Sequence, residues 1–450
     1  MTTNVTDVFV NTLYEMANGP IPAEVYYEAR KCVLDLLGSM IGGTSWLKDR
    51  LNRYLDLMSE REGSTVVGFG RRASLQNAVL VNGMCAHVFD IDDGHRFSTV
   101  HLGSTVVPAV LTVCEHFDLG MEDLLRGVII GYETGIRLGR CLQPSHRNRG
   151  FHSSGTIGTL GAAMAVATAM RFSREEMKAA LSAATSSAAG NNRMMLGSST
   201  LKPYNIGRAG HDGITAALIA RAGFVGPENS FEEQFGWLST MAEKYDASGL
   251  DLANDPNFNI LGAYHKPYAA CRHTHAAIDG ALGLRKEYPM DLNEIERIIV
   301  RMYGQGVKGH EFKEIPTTVS GKMSTPFCVG LALVKGSAGM RDFTEENIHD
   351  PLILALTEKT DVIADPEMTS WVPKKRAANV EIIFKDGTHC LKQVDFAKGE
   401  PEIPMTLDDF KTKFLDLACY GGKTEEEAEE IGKLVLEGNG KVRALMEKLQ

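Results

Sequence analysis

The stretch from Ser153 to Met170 carries no charged side chain and is filled mostly by Gly, Ala, Ser and Thr. Its length would serve for a bilayer span. However, it has few of the large apolar side chains that make a span favourable. Such a stretch is stable where backbone packs on backbone, as a tightly packed helix buried among other helices. A second stretch, Ala179 to Gly190, has the same small-residue texture, introduced by the capping-box pattern Ser173-Arg174-Glu175-Glu176. The two are expected to form the centre of a helical bundle, and no membrane contact is expected.

Up to about residue 262 the chain reads as helices almost throughout. Pro22 precedes Val25, Ala29, Cys32, Val33 and Leu36 at helical spacing. The texture changes after Pro267. Glu296 to Tyr303 is short, β-branched and apolar. Asn379 to Lys385 alternates, turns at Asp386-Gly387 and resumes over Thr388 to Val394, a hairpin pattern. Helical stretches, Ser324 to Ala338 and Thr344 to Leu356, lie among these strands. From Thr406 helical texture returns, with cap patterns at Thr406 and Thr424. A chain of 450 residues is expected to divide into two domains. The expectation is a mainly α protein: an all-helical domain from residues 1–265 and 402–450, with an α+β domain, 266–401, inserted.

Charge narrows the function. There are 47 Lys and Arg against 57 Asp and Glu, a formal charge of −10. A nucleic acid or an anionic membrane needs a basic face, so neither partner is expected. The eight cysteines are scattered with no CxxC pair, as in reduced, mostly buried thiols of a cytoplasmic protein. Met1 to Asp7 has neither the positive nor the apolar region of a signal peptide.

Cofactor motifs fail one by one. Gly155, Gly158 and Gly161 lack the dinucleotide spacing and a preceding strand. Gly321-Lys322 is followed by Met323 where a P-loop needs Ser or Thr. Counted from Asp90, a calcium loop would have His95 in place of its Gly and His101 in place of its Glu.

What remains is a set of His, Asp and Lys clusters. His87-Val88-Phe89-Asp90-Ile91-Asp92-Asp93-Gly94-His95, with His101 beyond, crowds carboxylates and imidazoles at a helix end, where mutual pKa effects suit proton transfer. The alternative is a solvated loop with capping aspartates, and His101 is the stronger candidate over His95. His152 stands just before the glycine-rich helix, beside free N–H groups that favour an anion, or else as a bonded core histidine. Lys202 precedes Pro203 ahead of a small-residue helix. His265-Lys266-Pro267-Tyr268-Ala269-Ala270-Cys271-Arg272-His273-Thr274-His275 reads as a positive pocket for carboxylates at an interdomain cleft. His273 and His275 could chelate a metal, but no third acidic or Cys ligand falls in register. Nothing marks a partner His for Cys271 as a nucleophile.

These clusters, in this order, resemble the MmgE/PrpD family. The matching stretches are HVFDIDDGH with His101, GFHSSGTIGTLGAA, LKPYNIGRAGHDGI, KPYAACRHTH and Gly321 to Phe327. The resemblance implies a helical domain with an inserted α+β lid, a homodimer, no metal and no organic cofactor. It places Asp90, His101, His152, Lys202 and Lys266 on active-site positions. The named activities are 2-methylcitrate dehydratase, cis-aconitate decarboxylase and iminodisuccinate epimerase. Gly94 replaces a Thr usual in the dehydratase and decarboxylase branches, and Leu102 a usual Pro. Cys271 and Val307 stand where the decarboxylase branch has His and Tyr, which makes that activity the least favoured of the three.

The shared step is forming or quenching a carbanion beside a carboxylate, which needs a placed base and cations for the developing charge. Asp90, His101 and His152 are therefore the expected catalytic residues, with Lys202, Lys266 and His275 binding substrate. The expected activity is a cofactor-independent hydro-lyase on a small di- or tricarboxylate. The alternatives are an epimerase of an amino- or imino-dicarboxylate and a non-catalytic carboxylate-binding protein.

Overall fold

The computed structural model describes residues 4–195, 199–232 and 234–450. The N-terminal reading therefore falls partly, at Met1-Thr2-Thr3, outside the described residues. Helix is the dominant secondary structure, so the fold is mainly α, and no described helix is long and apolar enough to cross a membrane. The chain divides into two compact units, Met1–Ala263 with Phe410–Gln450, and Tyr264–Asp409.

In the first unit the charge-free stretch forms the helix Ser153–Ala169, and every residue of it is buried. Small residues let neighbours close on it. A Cβ on Gly213, in the helix Lys202–Arg221, would lie 2.6 Å from Ala162 Cβ. A Cβ on Gly127, in Met121–Leu142, would lie 2.7 Å from the Ala165 carbonyl oxygen. At those distances only glycine fits without moving backbone. The other small-residue stretch behaves differently. The helix Arg174–Ser187 buries one side through Met177, Ala180, Leu181 and Ala184 and shows Arg174 and Glu175 to solvent. It is a peripheral amphipathic helix, a correction to the expected pair of central helices.

The helix Ala23–Leu57 begins directly after Pro22 and is 35 residues long. From the C-terminal segment, Phe414 and Leu417 pack on its Gly38 and Gly42. Arg30 donates to the carbonyls of Val435 (2.6 Å) and Gly438 (3.0 Å), which would otherwise be unpaired at the end of the helix Glu425–Glu437. Lys413 and Asp35 form a buried ion pair at 2.5 Å.

The second unit is built on a four-stranded sheet. Thr360–Ala364 pairs parallel with Ile295–Met302, which pairs antiparallel with Ala378–Phe384, and that strand with His389–Val394. The last two strands are the hairpin read from the alternation, with Gly387 at φ 83° in its turn. The helix His275–Glu287 lies directly on the sheet: a Cβ on Gly280 would be 2.6 Å from Val380. The helix expected over Thr344 to Leu356 begins later, at Pro351–Lys359. Asp350 caps it by accepting from Leu352 and Ile353, and Pro351 fits the first turn.

Candidate active site

The first cluster lies in the helical unit, in the loop between the helices Leu75–His87 and Gly103–His116. Its three aspartates meet three different fates. Asp93 is fully buried: its carboxylate accepts from the Gly103 amide at 3.0 Å and from the Tyr132 hydroxyl. Burial and the Asp93 charge push the Tyr132 phenol well above its ordinary pKa, so it stays a donor. Asp92, also buried, accepts from the Ser104 hydroxyl and pairs with His87 Nδ1 at 2.8 Å. Asp90 alone keeps a partly exposed carboxylate. Its backbone has φ 54°, the left-handed region that Asp tolerates better than most residues, and its amide closes the helix end on the His87 carbonyl. Lys413 also donates to the Ile91 carbonyl at 2.8 Å, holding the loop from below.

His101 stands beside Asp90. Its Nδ1 is 2.6 Å from the Asp93 carbonyl oxygen, and a carbonyl can only accept, so Nδ1 carries the proton. In the neutral ring the lone pair is then on Nε2, which lies 4.0 Å from the Asp90 carboxylate. The backbone of His101 is fixed as well, its amide donating to Ser154 Oγ at 2.9 Å. Lys202, the first residue of its helix, places its ammonium 3.1 Å from the same Asp90 oxygen. His101, Asp90 and Lys202 thus share one carboxylate, and each is about a quarter exposed.

His152 is buried at the N-terminus of the helix Ser153–Ala169. Burial, then the neighbouring His87, Lys202 and His101, hold its imidazole well below the ordinary histidine range, so it is neutral at pH 7. Its Nδ1 and the Nε2 of His87 have no hydrogen-bond partner among the described residues. Buried nitrogens in that state call for a ligand or water to satisfy them. His95, by contrast, is spent inside its own turn, with Nδ1 against the Ser98 hydroxyl and amide.

In the second unit Lys266 is buried, 1% exposed, within a segment held by the His265 amide on the Gly399 carbonyl. His275, expected to touch substrate, has a different position. It is fully buried, and Arg272 can only donate to its Nδ1 (3.0 Å), so Nε2 must donate to the Ala270 carbonyl (3.1 Å). With both nitrogens committed, His275 orients Arg272, which also ion-pairs with Glu400 at 2.8 Å. Cys271, for which the sequence marked no partner, has His310 Nε2 at 3.8 Å from its sulfur. His273 joins them, its Nδ1 bonded to the Tyr303 hydroxyl.

Two family models cover most of the chain: the MmgE/PrpD N-terminal domain over residues 9–249 and the MmgE/PrpD C-terminal domain over 268–438. The chain belongs to the MmgE/PrpD family. Among its MmgE/PrpD relatives is the cis-aconitate decarboxylase-like protein oryM of Aspergillus oryzae, 26% identical over 446 residues, spanning 92% of this chain and 90% of the relative. A cis-aconitate decarboxylase of Aspergillus terreus is 24% identical over 462 residues, 96% of this chain and 92% of its own. In this MmgE/PrpD chain, sequence reasoning missed Tyr132, Ser104 and Ser154. Each is an unremarkable helix residue in sequence and supports the loop only because its helix passes there.

Proposed function

We propose that this MmgE/PrpD protein is a lyase acting on a small di- or tricarboxylate by removing a proton from the carbon beside a carboxylate, and specifically a hydro-lyase. His101 Nε2 is the base. Its protonated nitrogen is locked on the Asp93 carbonyl, so its lone pair is presented without a rotational search. Asp90, close to that nitrogen, is the second proton carrier: in its protonated form it delivers a proton to the departing hydroxyl, and the proton taken up by His101 Nε2 restores it for the next turnover. The C–H pair becomes the alkene π bond and the C–O bond breaks to release water. Lys202 offsets the enolate-like charge that builds on the substrate carboxylate, and neutral His152 donates a hydrogen bond to it. The single observation carrying this reading is the pinned tautomer of His101 beside the Asp90–Lys202 pair.

The names of the Aspergillus relatives favour a second reading, decarboxylation of an unsaturated tricarboxylate. It would use the same cations, with His101 in its protonated form quenching the carbanion left by CO2. Incubation with candidate polycarboxylates in deuterated water, followed by NMR, separates these. Alkene formation with loss of water supports the hydro-lyase. Loss of CO2 with deuterium at the carbon that had carried the lost carboxylate supports the decarboxylase. Exchange at one carbon with scrambled configuration would make the protein an epimerase, and binding without exchange a carboxylate-binding protein.

A further inference from the structure

The second unit brings together three soft ligand groups that the proposed proton chemistry does not use. The sulfur of Cys271 and one ring nitrogen of each of His273 and His310 all lie within 4.8 Å of one another. We propose that Cys271, His273 and His310 form a binding site for a zinc-class divalent ion, with the fourth coordination position left to water or a carboxylate oxygen.

The distances suit a shared ion. Tetrahedral zinc with sulfur at ~2.3 Å and nitrogen at ~2.0–2.1 Å holds the two donors about 3.5 Å apart. The Cys271 sulfur and His310 Nε2 are 3.8 Å apart, a hydrogen-bond contact for sulfur and close to that separation. The supports are also in place. His310 Nδ1 lies 2.7 Å from the Met323 carbonyl, which can only accept, so its lone pair is on Nε2, on the cysteine side. The Tyr303 hydroxyl holds Nδ1 of His273 and fixes that ring. The Cys271 amide donates to the Lys322 carbonyl (2.9 Å), and the Thr325 amide to that of His310 (2.8 Å). Three separate pieces of chain are therefore tied before any ion arrives. Binding would release the thiol proton to solvent and leave a thiolate ligand. A thiolate with two imidazoles selects zinc or cobalt over magnesium or calcium.

A second group, His87, Asp90, Asp92 and His101, has its donor atoms as close together. There the Lys202 ammonium, 3.1 Å from Asp90, already supplies the cation, and no sulfur is present. This makes the two sites distinguishable by spectrum.

The test uses the full-length protein stripped of metal and titrated with Co2+ alone, then with Zn2+ in competition. The expected result is one thiolate-to-cobalt charge-transfer band with tetrahedral visible bands, displaced by Zn2+ and not by Mg2+. Cys271→Ser and His310→Gln should abolish the band and weaken Zn2+ binding by more than the ~10–100-fold that losing a supporting residue costs. Cys419→Ser, at the other partly exposed cysteine, should change nothing. Should either variant fail to fold, Zn2+ must still slow iodoacetamide modification of Cys271 in the unaltered protein, mapped by peptide mass. A cobalt spectrum without a thiolate band, a band that survives Cys271→Ser, or an alkylation rate indifferent to Zn2+ would each overturn the site.

Discussion

Replacing His101 by Asn separates chemistry from architecture. The Asn amide can donate to the Asp93 carbonyl that His101 Nδ1 now holds at 2.6 Å, so the strongest local bond of the ring has a substitute. What is lost is the Nε2 lone pair and the edge-on contact with His87, whose ring centre is 5.2 Å away. A contact of that kind contributes about 1 kcal/mol, so the folded protein should be destabilised by no more than that. Removing a positioned base costs ~10²–10⁴-fold in rate, or about 3–5 kcal/mol in barrier height. The effect on kcat/KM should therefore exceed the effect on stability several-fold. It should also remove the acid limb of the pH–rate profile. The measurement is steady-state turnover of the accepted polycarboxylate across pH, with circular dichroism and denaturant midpoints on the same preparations. A kcat/KM within about threefold of the unaltered enzyme, which is under 1 kcal/mol of barrier, would remove His101 from the reaction. Activity lost in proportion to folded protein would mark it as a structural residue.

The remaining tests address the loop and the cations. Lys413→Met removes the ammonium from the buried Asp35 carboxylate and its bond to the Ile91 carbonyl, and should cost about 3–5 kcal/mol of stability by denaturant titration. The double variant with Asp35→Leu should recover much of that, and no recovery would mean the pair is not coupled. His152 has its folded pKa below the ordinary value of 6.5, so the unfolded chain takes up a proton that the folded one refuses. Its contribution is therefore constant above that pH and turns destabilising as pH falls through it. His152→Gln should flatten the difference in denaturant midpoint between pH 7.5 and 5, and an unchanged difference would mean this ring is not held neutral. Lys266→Ala should raise KM and lower kcat together, because one cation serves both bound substrate and transition state; unchanged kinetics would exclude it.

How much of this could be read from the chain depends on whether a property is local. The buried helix Ser153–Ala169 was legible because a charge-free run of small residues has few stable uses other than close packing. Its expected companion, Arg174–Ser187, shares the small residues but also carries Arg174, Glu175, Glu176 and Lys178, and those charges keep one side of the helix out of the core. The hairpin was legible from alternation and Asp386-Gly387. The parallel strand Thr360–Ala364 was not, because its partner is more than fifty residues away and no turn signal announces it. The same division runs through the candidate site. A sequence shows Asp90, Asp92 and Asp93 as equivalent carboxylates. What separates them is Tyr132, Ser104 and the Gly103 amide, brought in by helices whose own periodicity does not distinguish a tyrosine that packs from one that donates. Cys271 was likewise left without a partner because His310 is 39 residues further on. Local clustering therefore indicates which residues can carry protons. Which of them keeps an exposed carboxylate is decided by donors supplied from elsewhere in the fold. Here that selection leaves Asp90 alone facing both an imidazole and an ammonium, while its two neighbours are spent holding the loop that presents it.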